Sequence, residues 1–346
     1  MAEDNALTAT PDYKSRLFGR KWKVSVLIPN NETTVAADES AYTAYILSNS
    51  DNEDESLRVT FNIQKHGWTN PNFSEISVYN MSPDTENLLI KSGTRIMVEA
   101  GYVNGEFGVI YDGHIFQPMW EREDTVTTKV TFKCIDAMDI IYDNMVECAG
   151  TVMQSQKQMI MDMASKARKP FKIKSISETM PDKKMVRTKI FFDSPTYYLR
   201  KYAQDGGTLP SAIDRDVILN RPQEPLPESA YIYAMTVSPL EGGLIGVPQQ
   251  TQDGVNFTML LNPSVTVFNP SPMLIKIDNS YIRQAVMQFG SKGFSRLNED
   301  GVYKVIGVNH VGDTRGSDWY THITGANQSM EGMVPAMFQT SNAPNT

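Results

Sequence analysis

Residues 94–120 have the sequence TRIMVEAGYVNGEFGVIYDGHIFQPMW, in which aliphatic and aromatic residues recur on both sides of Asn104-Gly105. This dipeptide accepts positive φ at both central positions of a type I′ turn, whose twist matches that of two hairpin strands. We therefore predict a β-hairpin with strands Thr94–Val103 and Glu106–Trp120, joined at Asn104 and Gly105.

The residues on both sides of this hairpin also predict strands. Leu57, Val59, Phe61 and Ile63 alternate with polar residues, which is the period of a half-buried strand. The remaining candidates in this part of the chain are strands Trp22–Ile28, Tyr42–Leu47 and Val126–Ile135, and a short helix that starts at Ser82-Pro83 and stops before Gly93. Residues 57–136 therefore predict an antiparallel sheet with one small helix.

Residues 149–220 have the pattern of a small α/β insert. Thr151-x-x-Gln154 fits a capping box at the start of one helix, and Ser194-Pro195 with Gly206-Gly207 brackets a second. Strand-like runs lie between them at Phe171–Ile176 and Met185–Phe192. The first helix is rich in methionine, which favours core packing over the alternative of an apolar surface for a partner: Met153, Met159, Met161 and Met163.

After a proline-rich bridge at residues 221–227, strand patterning returns. The candidate strands are Ile232–Val237, Asn256–Leu261, Val265–Phe268, Met273–Ile277, Ile282–Phe289, Tyr303–Val308 and Tyr320–Thr324. The run from Gly108 to His114 is echoed by the run from Gly301 to His310, although the spacing differs. An internal duplication of one β module and a chance similarity both fit this echo.

The predicted fold class is mainly β with an α+β insert: two antiparallel β-barrel or β-sandwich domains and a small α/β domain. The predicted boundaries are a flexible arm at 1–16, a first β domain at 17–148, an insert at 149–220, a second β domain at 221–331 and a flexible tail at 332–346.

Composition excludes several classes of protein. The 346 residues include 32 basic and 40 acidic side chains, a net charge of −8, which argues against a protein that grips phosphate backbones. Two cysteines and four histidines show no zinc-ligand spacing and no disulfide framework. No apolar run is long enough for a transmembrane helix, and the first residues do not resemble a secretory signal.

Candidate catalytic groups are few and are better explained as turn residues. His310 with Asp313 could form half of a triad, but no serine in a strand-to-helix elbow accompanies them. Glu121, Glu123 and Asp124 could act as acid and base, yet they lie in a predicted turn. We predict no catalytic, cofactor-binding or metal-binding residue and no cofactor, and we assign Asn104, Gly105, Asp313 and Gly316 to structural turns.

Two sets of segments resemble a known family. The first set is NMSPDTENLLIKSGTR (80–95), VEAGY (98–102) and IYDGHI (110–115). The second set is LIGVPQQT (244–251), LLNP (260–263), GVYKV (301–305) and HVGDTRGSDWYT (310–321). Together they resemble the baseplate hub proteins of contractile-tailed bacteriophages, the tail-tube-like hubs of Mu-like and T-even phages.

The resemblance implies two tail-tube-like β-barrel domains and a homotrimeric ring with pseudo-sixfold symmetry. Such a ring joins the sixfold tail tube, or a tube-initiator protein, to the threefold central spike, and DNA passes through its lumen. Tape measure and baseplate wedge proteins are further implied partners, and no membrane segment is involved. The implied location is the tail baseplate of the virion, after assembly in the host bacterial cytoplasm.

Two alternatives to a hub stay open from the sequence. Another tube-like component, a distal tail or tube-initiator protein, would share the β modules but form a true sixfold ring. A cell-wall hydrolase or a carbohydrate-binding β protein would instead use carboxylates such as Glu121, Glu123 or Asp124.

Overall fold

The computed structural model describes residues 17–29, 42–49, 56–67, 71–89, 94–141, 144–220, 234–240, 242–251, 254–268, 272–286 and 297–327. The predicted fold class is confirmed: these residues form mainly strands, with a few short helices. The predicted flexible arm and flexible tail lie outside the described residues.

The first β region is a seven-stranded antiparallel array. Its order is β2-β1-β5-β6-β7-β4-β3, and every neighbouring pair is antiparallel. The elements are β1 (Arg20–Pro29), β2 (Tyr42–Ser48), β3 (Val59–His66), β4 (Phe73–Tyr79), helix α1 (Pro83–Leu89), β5 (Arg95–Tyr102), β6 (Phe107–Arg122) and β7 (Thr128–Ile135). Val59, Phe61 and Ile63 are buried as their alternation predicts.

The insert follows as two small sheets packed on helices. Its elements are α2 (Met138–Ile141), β8 (Val146–Gly150), α3 (Gln156–Ser165), β9 (Ile173–Ile176), β10 (Lys189–Asp193), α4 (Pro195–Asp205), β11 (Leu209–Ile213) and β12 (Asp216–Asn220). β8 pairs with β10, and β12 pairs with β11 and β9. Met159 and Met163 join the insert core, as predicted, whereas Met153 and Met161 are exposed.

The second β region is built around two long strands. Its elements are β13 (Met235–Val237), β14 (Leu244–Gln250), β15 (Gly254–Leu260), β16 (Leu274–Ile277), a 3₁₀ turn (Asn279–Tyr281), β17 (Gln284–Ala285), β18 (Val302–Asp313) and β19 (Trp319–Ala326). The strand order is β17-β14-β15-β19-β18, with β16 also on β18 and β13 on β16.

One strand pair joins the two β regions. Gly307–Asp313 of β18 runs antiparallel to Thr60–His66 of β3, so a single 14-stranded sheet passes through both regions. The described buried residues nevertheless form three separate apolar clusters, one centred in each β region and one in the insert. The domain boundaries given above stay a prediction.

Three local predictions are wrong: the position of the β5–β6 turn, the start of the first helix of the insert, and a strand at Val265–Phe268. The turn between β5 and β6 is centred on Val103 and Asn104, because Gly105 N–H donates to Tyr102 O (3.4 Å) and Tyr102 N–H to Glu106 O (3.1 Å). Asn104 and Gly105 are not among the residues with positive φ, so the turn is not type I′.

The first helix of the insert starts later than its capping box predicts. Ser155 is the N-cap and accepts a hydrogen bond from Gln158 N (3.2 Å), while Met153 has φ +67, which a helix cannot continue through. In addition, Val265–Phe268 is not a strand, and four strands were not predicted: β8, β11, β12 and β14.

Candidate functional site at the junction of the two β regions

The turn that connects β18 and β19, residues 314–318, is held by an arginine from β1. Arg20 donates from Nη1 to the carbonyl oxygens of Asp313 (2.7 Å) and Gly316 (2.6 Å), and from Nη2 to that of Ser317 (2.9 Å). Its guanidinium also lies 5.4 Å from the centre of the Trp319 ring. A cation that satisfies three carbonyls of one turn fixes both the shape of the turn and its position on β1.

A second arginine, just before β3, binds the side chain at the same place. Arg58 donates to both oxygens of Asp313, Nε–Oδ1 at 3.2 Å and Nη2–Oδ2 at 2.7 Å, and stacks over Tyr79 at 4.6 Å. Partial burial opposes ionisation of Asp313, but hydrogen bonds from Arg58 and from backbone N–H groups outweigh it and lower its pKa. The bidentate pair therefore ties the end of β18 to the first β region. We call these contacts of Arg20 and Arg58 with residues 313–318 the turn clasp.

A cavity of about 580 Å³ opens beside the turn clasp. Its described lining combines apolar and aromatic residues with four uncharged polar residues and two arginines: Leu17, Phe18, Gly19, Arg20, Trp22, Asn49, Ser56, Leu57, Tyr102, Leu260, Thr314, Arg315, Ser317, Trp319 and Tyr320. Both arginines already donate to backbone carbonyls, Arg20 within the clasp and Arg315 to Ser56 O at 2.7 Å. These lining residues include no histidine, cysteine or carboxylate.

A buried polar cluster joins the insert to the first β region. Lys65 of β3, only 3% exposed, is paired with Asp214 at the tip of the β11–β12 hairpin. Asp214 Oδ1 also accepts from Asp112 N (3.2 Å) on β6. Asn72 donates to Asp136 Oδ2 (3.1 Å) and to Ala212 O (3.0 Å). Charged and amide groups from four chain segments therefore meet at this joint.

Asp136 is the most deeply buried acid of this cluster. Burial raises its pKa well above the ordinary value, the nearby charge of Asp214 raises it further, and Lys65 opposes both effects. The cluster therefore holds one ion pair, Lys65 with Asp214, next to a fully buried acid whose pKa is raised.

The β11–β12 hairpin, which carries Asp214, has the type I′ turn that we predicted at Asn104-Gly105. Asp214 and Arg215 have φ of +47° and +69°, and they are the two residues between Ile213 and Asp216. An arginine in the left-handed region costs roughly 1 kcal/mol. The ion pair with Lys65 and the backbone contact with Asp112 offset that strain, which is why an Asp-Arg dipeptide can occupy a turn that usually favours asparagine and glycine.

The candidate catalytic residues are not brought together. His310 is fully buried, with Nδ1 2.9 Å from Thr321 Oγ1, while Asp313 faces Arg58. Glu121 is paired with Lys129 at 2.9 Å. Asp124 accepts from the backbone N–H groups of Val126 (2.8 Å) and Thr127 (2.7 Å) and so shapes the β6–β7 turn.

Within the described parts of the chain, no group of three His, Cys, Asp or Glu side chains could hold a metal ion. No helix among those residues is both long and apolar enough to cross a membrane.

The joint residues were missed from the sequence, although one of them left a signal. Lys65 follows Val59, Phe61 and Ile63 in the same alternation, so it occupies an inward-facing position of β3. A lysine on the buried face of a strand needs a buried partner. Arg20, Arg58 and Asp214 carry no comparable pattern.

His310 is expected to make the protein less stable in acid. Burial, with a smaller contribution from Lys65, lowers the pKa of His310 to about 3. The unfolded chain takes up this proton near pH 6.5, so stability is fully present above that pH and is lost as pH falls towards 3. The expected loss between pH 7 and pH 5 is about 2 kcal/mol from this residue.

The measurement is urea unfolding at pH 7, 6 and 5 for the wild type and for His310→Gln, whose side chain does not titrate. The other histidines and acids are common to both proteins, so the difference in slope isolates His310. Parallel stability–pH curves for the two proteins would contradict this expectation.

No protein-family model matches the chain, and no curated protein matches it in sequence. Solved structures do match. A 43 kDa tail protein of prophage MuSo2 from Shewanella oneidensis has a TM-score of 0.53 and 9% identity, over 90% of this chain and 99% of that chain. A lidless PdpA–VgrG complex has a TM-score of 0.54 and 7% identity, over 93% of this chain and 67% of that chain. A half-lidded Francisella PdpA–VgrG complex has a TM-score of 0.51 and 8% identity, over 93% and 61%.

At these identities the likeness concerns the fold. It extends over nine tenths of the chain, through both β regions and the insert, rather than over a single module. The resemblance read from the sequence is therefore confirmed at the level of fold: this chain has the fold of phage tail proteins.

Proposed function

We propose that this chain, with its tail-protein fold, is a structural component of a contractile tail and acts without catalysis. Its specific role would be that of the baseplate hub, a trimeric ring that adapts the sixfold tail tube to the threefold central spike. The fold likeness to the MuSo2 tail protein supports the tail component. The likeness to a chain of PdpA–VgrG complexes supports a place next to a spike.

The observation that carries the proposal is the joining of the two β regions into one body. The β3–β18 pair makes their sheets continuous, and the turn clasp adds two arginines across the same junction. An adaptor has to transmit force between tube and spike without bending. Backbone pairing reinforced by charged hydrogen bonds is suited to that load, since both must break before the regions separate.

The number of β regions per chain matches the symmetry that a hub would need. Three chains with two β regions each would present six modules to a sixfold tube while keeping a threefold axis for a spike. The net charge of −8 per chain also suits a lumen through which DNA moves, because like charges repel. Further proposed partners are a tube-initiator, tape measure and baseplate wedge proteins, and the proposed location is the virion baseplate after assembly in the host cytoplasm.

The test is the mass and image of the purified full chain, by light scattering and electron microscopy. Three chains in a ring with a wide central hole are expected. Six chains with true sixfold symmetry would replace the hub by a distal tail or tube-initiator protein. A ring whose lumen is lined by neutral or basic side chains would contradict the proposed role of the charge.

A further inference from the structure

The charge of this protein is divided unevenly along the chain. Residues 146–220 of the insert contain 13 basic and 8 acidic side chains, a formal charge of +5, within a chain whose net charge is −8. The rest of the chain therefore carries −13. Opposite charges on two parts of one chain favour contact between unlike parts of neighbouring copies.

The positive charge of the insert lies beside an exposed apolar surface. Val186, Ile190 and Phe192 are 85%, 78% and 66% exposed. Ile190 and Phe192 share the outer face of β10, which pairs with β8. Met153 is also exposed, and its N–H donates to the carbonyl oxygen of Met185, the residue before Val186 (2.8 Å). Exposed apolar side chains grouped on one strand face are candidates for an interaction site.

Three cations border this surface: Lys183, Lys184 and Arg187, all exposed. Among the described residues, none has an ion pair or hydrogen bond to its side chain. Lys174, elsewhere in the insert, is paired with Asp216 at 2.7 Å, whereas these three cations have no acid partner among the described residues. We call Lys183, Lys184, Val186, Arg187, Ile190 and Phe192 the insert patch.

A matching surface lies on the first β region. The outer end of β6 and the turn to β7 extend past the buried part of the sheet, with Trp120 and Val126 51% and 83% exposed. Glu121, Arg122, Glu123 and Asp124 lie between them. Glu121 is paired with Lys129, so the net negative charge of this segment comes from Glu123 and Asp124 against Arg122. We call residues 120–126 the hairpin arm.

Two further acids follow, in the chain, a residue that binds the base of the hairpin arm. Asn80 Oδ1 accepts from Thr128 N (2.9 Å) at the base of the arm, and helix α1, which carries Asp84 and Glu86, begins three residues later. The arm therefore combines an exposed tryptophan, the residue type most enriched at binding hot spots, with acids that complement the insert patch.

We propose that the hairpin arm of one copy docks on the insert patch of the next copy. The two surfaces differ, so the contact is heterologous and passes from copy to copy until a ring closes. Val126 and Trp120 would pack against Ile190 and Phe192, while Glu123 faces the three cations. This inference rests on the proposed ring and names the contact that closes it.

Charge reversal tests the contact in the full-length protein. The insert-reversed variant carries Lys183→Glu, Lys184→Glu and Arg187→Glu, and the arm-reversed variant carries Glu123→Lys and Thr125→Lys, which leave the Glu121–Lys129 pair intact. Each is expected to weaken self-association at least about tenfold in sedimentation velocity over a concentration series. A variant with all five changes restores complementarity and is expected to associate within about threefold of the wild type.

The apolar part is tested by Trp120→Ala, with Phe73→Ala as the control because Phe73 is similarly exposed but lies outside both surfaces. Weakening by Trp120→Ala alone supports the contact, and equal weakening by both contradicts it. Unfolding midpoints of all variants show whether each remains folded.

The outcomes separate this contact from the proposed function. If the wild type forms a three-chain ring but both reversals associate normally, the contact is wrong and the hub stands. If the wild type is a monomer at every concentration, both fail. Binding of the insert patch to phosphatidylglycerol vesicles, lost on insert reversal and not recovered in the five-change variant, would assign the patch to a lipid surface and overturn the proposal.

Discussion

Replacing Lys65 by alanine is expected to lower the free energy of unfolding by about 3–5 kcal/mol. Lys65 is almost fully buried, and its ammonium group is the positive charge in the cluster that contains Asp214 and Asp136. Removing it leaves the partly exposed carboxylate of Asp214 without its cation, beside the buried acid Asp136. The loss also releases the tip of the β11–β12 hairpin, which holds the insert against the first β region.

The matched control is Lys133→Ala. Lys133, on β7, is also paired with a carboxylate, that of Glu75, but both side chains are substantially exposed. Exposed ion pairs contribute little, so a change of less than about 1 kcal/mol is expected. Urea unfolding of both variants at one pH gives the comparison. Equal losses would mean that burial of the Lys65 pair does not matter and that the insert is held by other contacts.

Replacing Trp319 by alanine is expected to cost about 3–5 kcal/mol. Trp319 is 2% exposed at the start of β19, packs edge-to-face on Phe61 at 5.4 Å between ring centres, and supports the Arg20 guanidinium. It also belongs to the core cluster of the first β region although it follows β18 in the second. The substitution therefore enlarges the cavity at the place where the turn clasp and the two regions meet.

Trp120→Ala is the control for this prediction, because the same side chain is removed from a half-exposed site on the hairpin arm. Its expected cost to the unfolding free energy is about 1 kcal/mol or less. Chemical unfolding followed by far-ultraviolet circular dichroism measures both without depending on tryptophan emission. A small loss for Trp319→Ala would show that Trp319 does not connect the two regions.

Some elements of this fold follow from local sequence patterns, and others depend on contacts between distant segments. The alternation at Val59, Phe61 and Ile63 and the Ser194-Pro195 start of α4 each act within a few residues, and the structure has both elements. The sequence also predicts the hairpin at residues 94–120, but it predicts the turn one residue too late. Turn type depends on the register of the flanking strands, and a bulge at Val98–Glu99 shifts that register.

No local sequence pattern predicts the strand pair that joins the two β regions. β3 and β18 are separated by more than 200 residues, and their pairing uses backbone groups that every residue carries, so the sequence does not name the partner strand. The contacts of Arg20 and Arg58 with the β18–β19 turn also join segments that lie far apart in the sequence, so no local pattern predicts them. Only the inward position of Lys65 pointed to a buried partner, and it did not identify Asp214.

The sequence by itself determined the mainly β class, the α/β insert between two β regions, and the resemblance in fold to tail proteins, because periodicity, caps and local motifs are short-range properties of the chain. The tertiary structure alone decided that the two regions share one sheet, that an Asp-Arg hairpin locks the insert in place, and which apolar side chains stay exposed. Those features depend on which distant segments meet, and the free energy that selects them comes from burial and pairing across the whole fold.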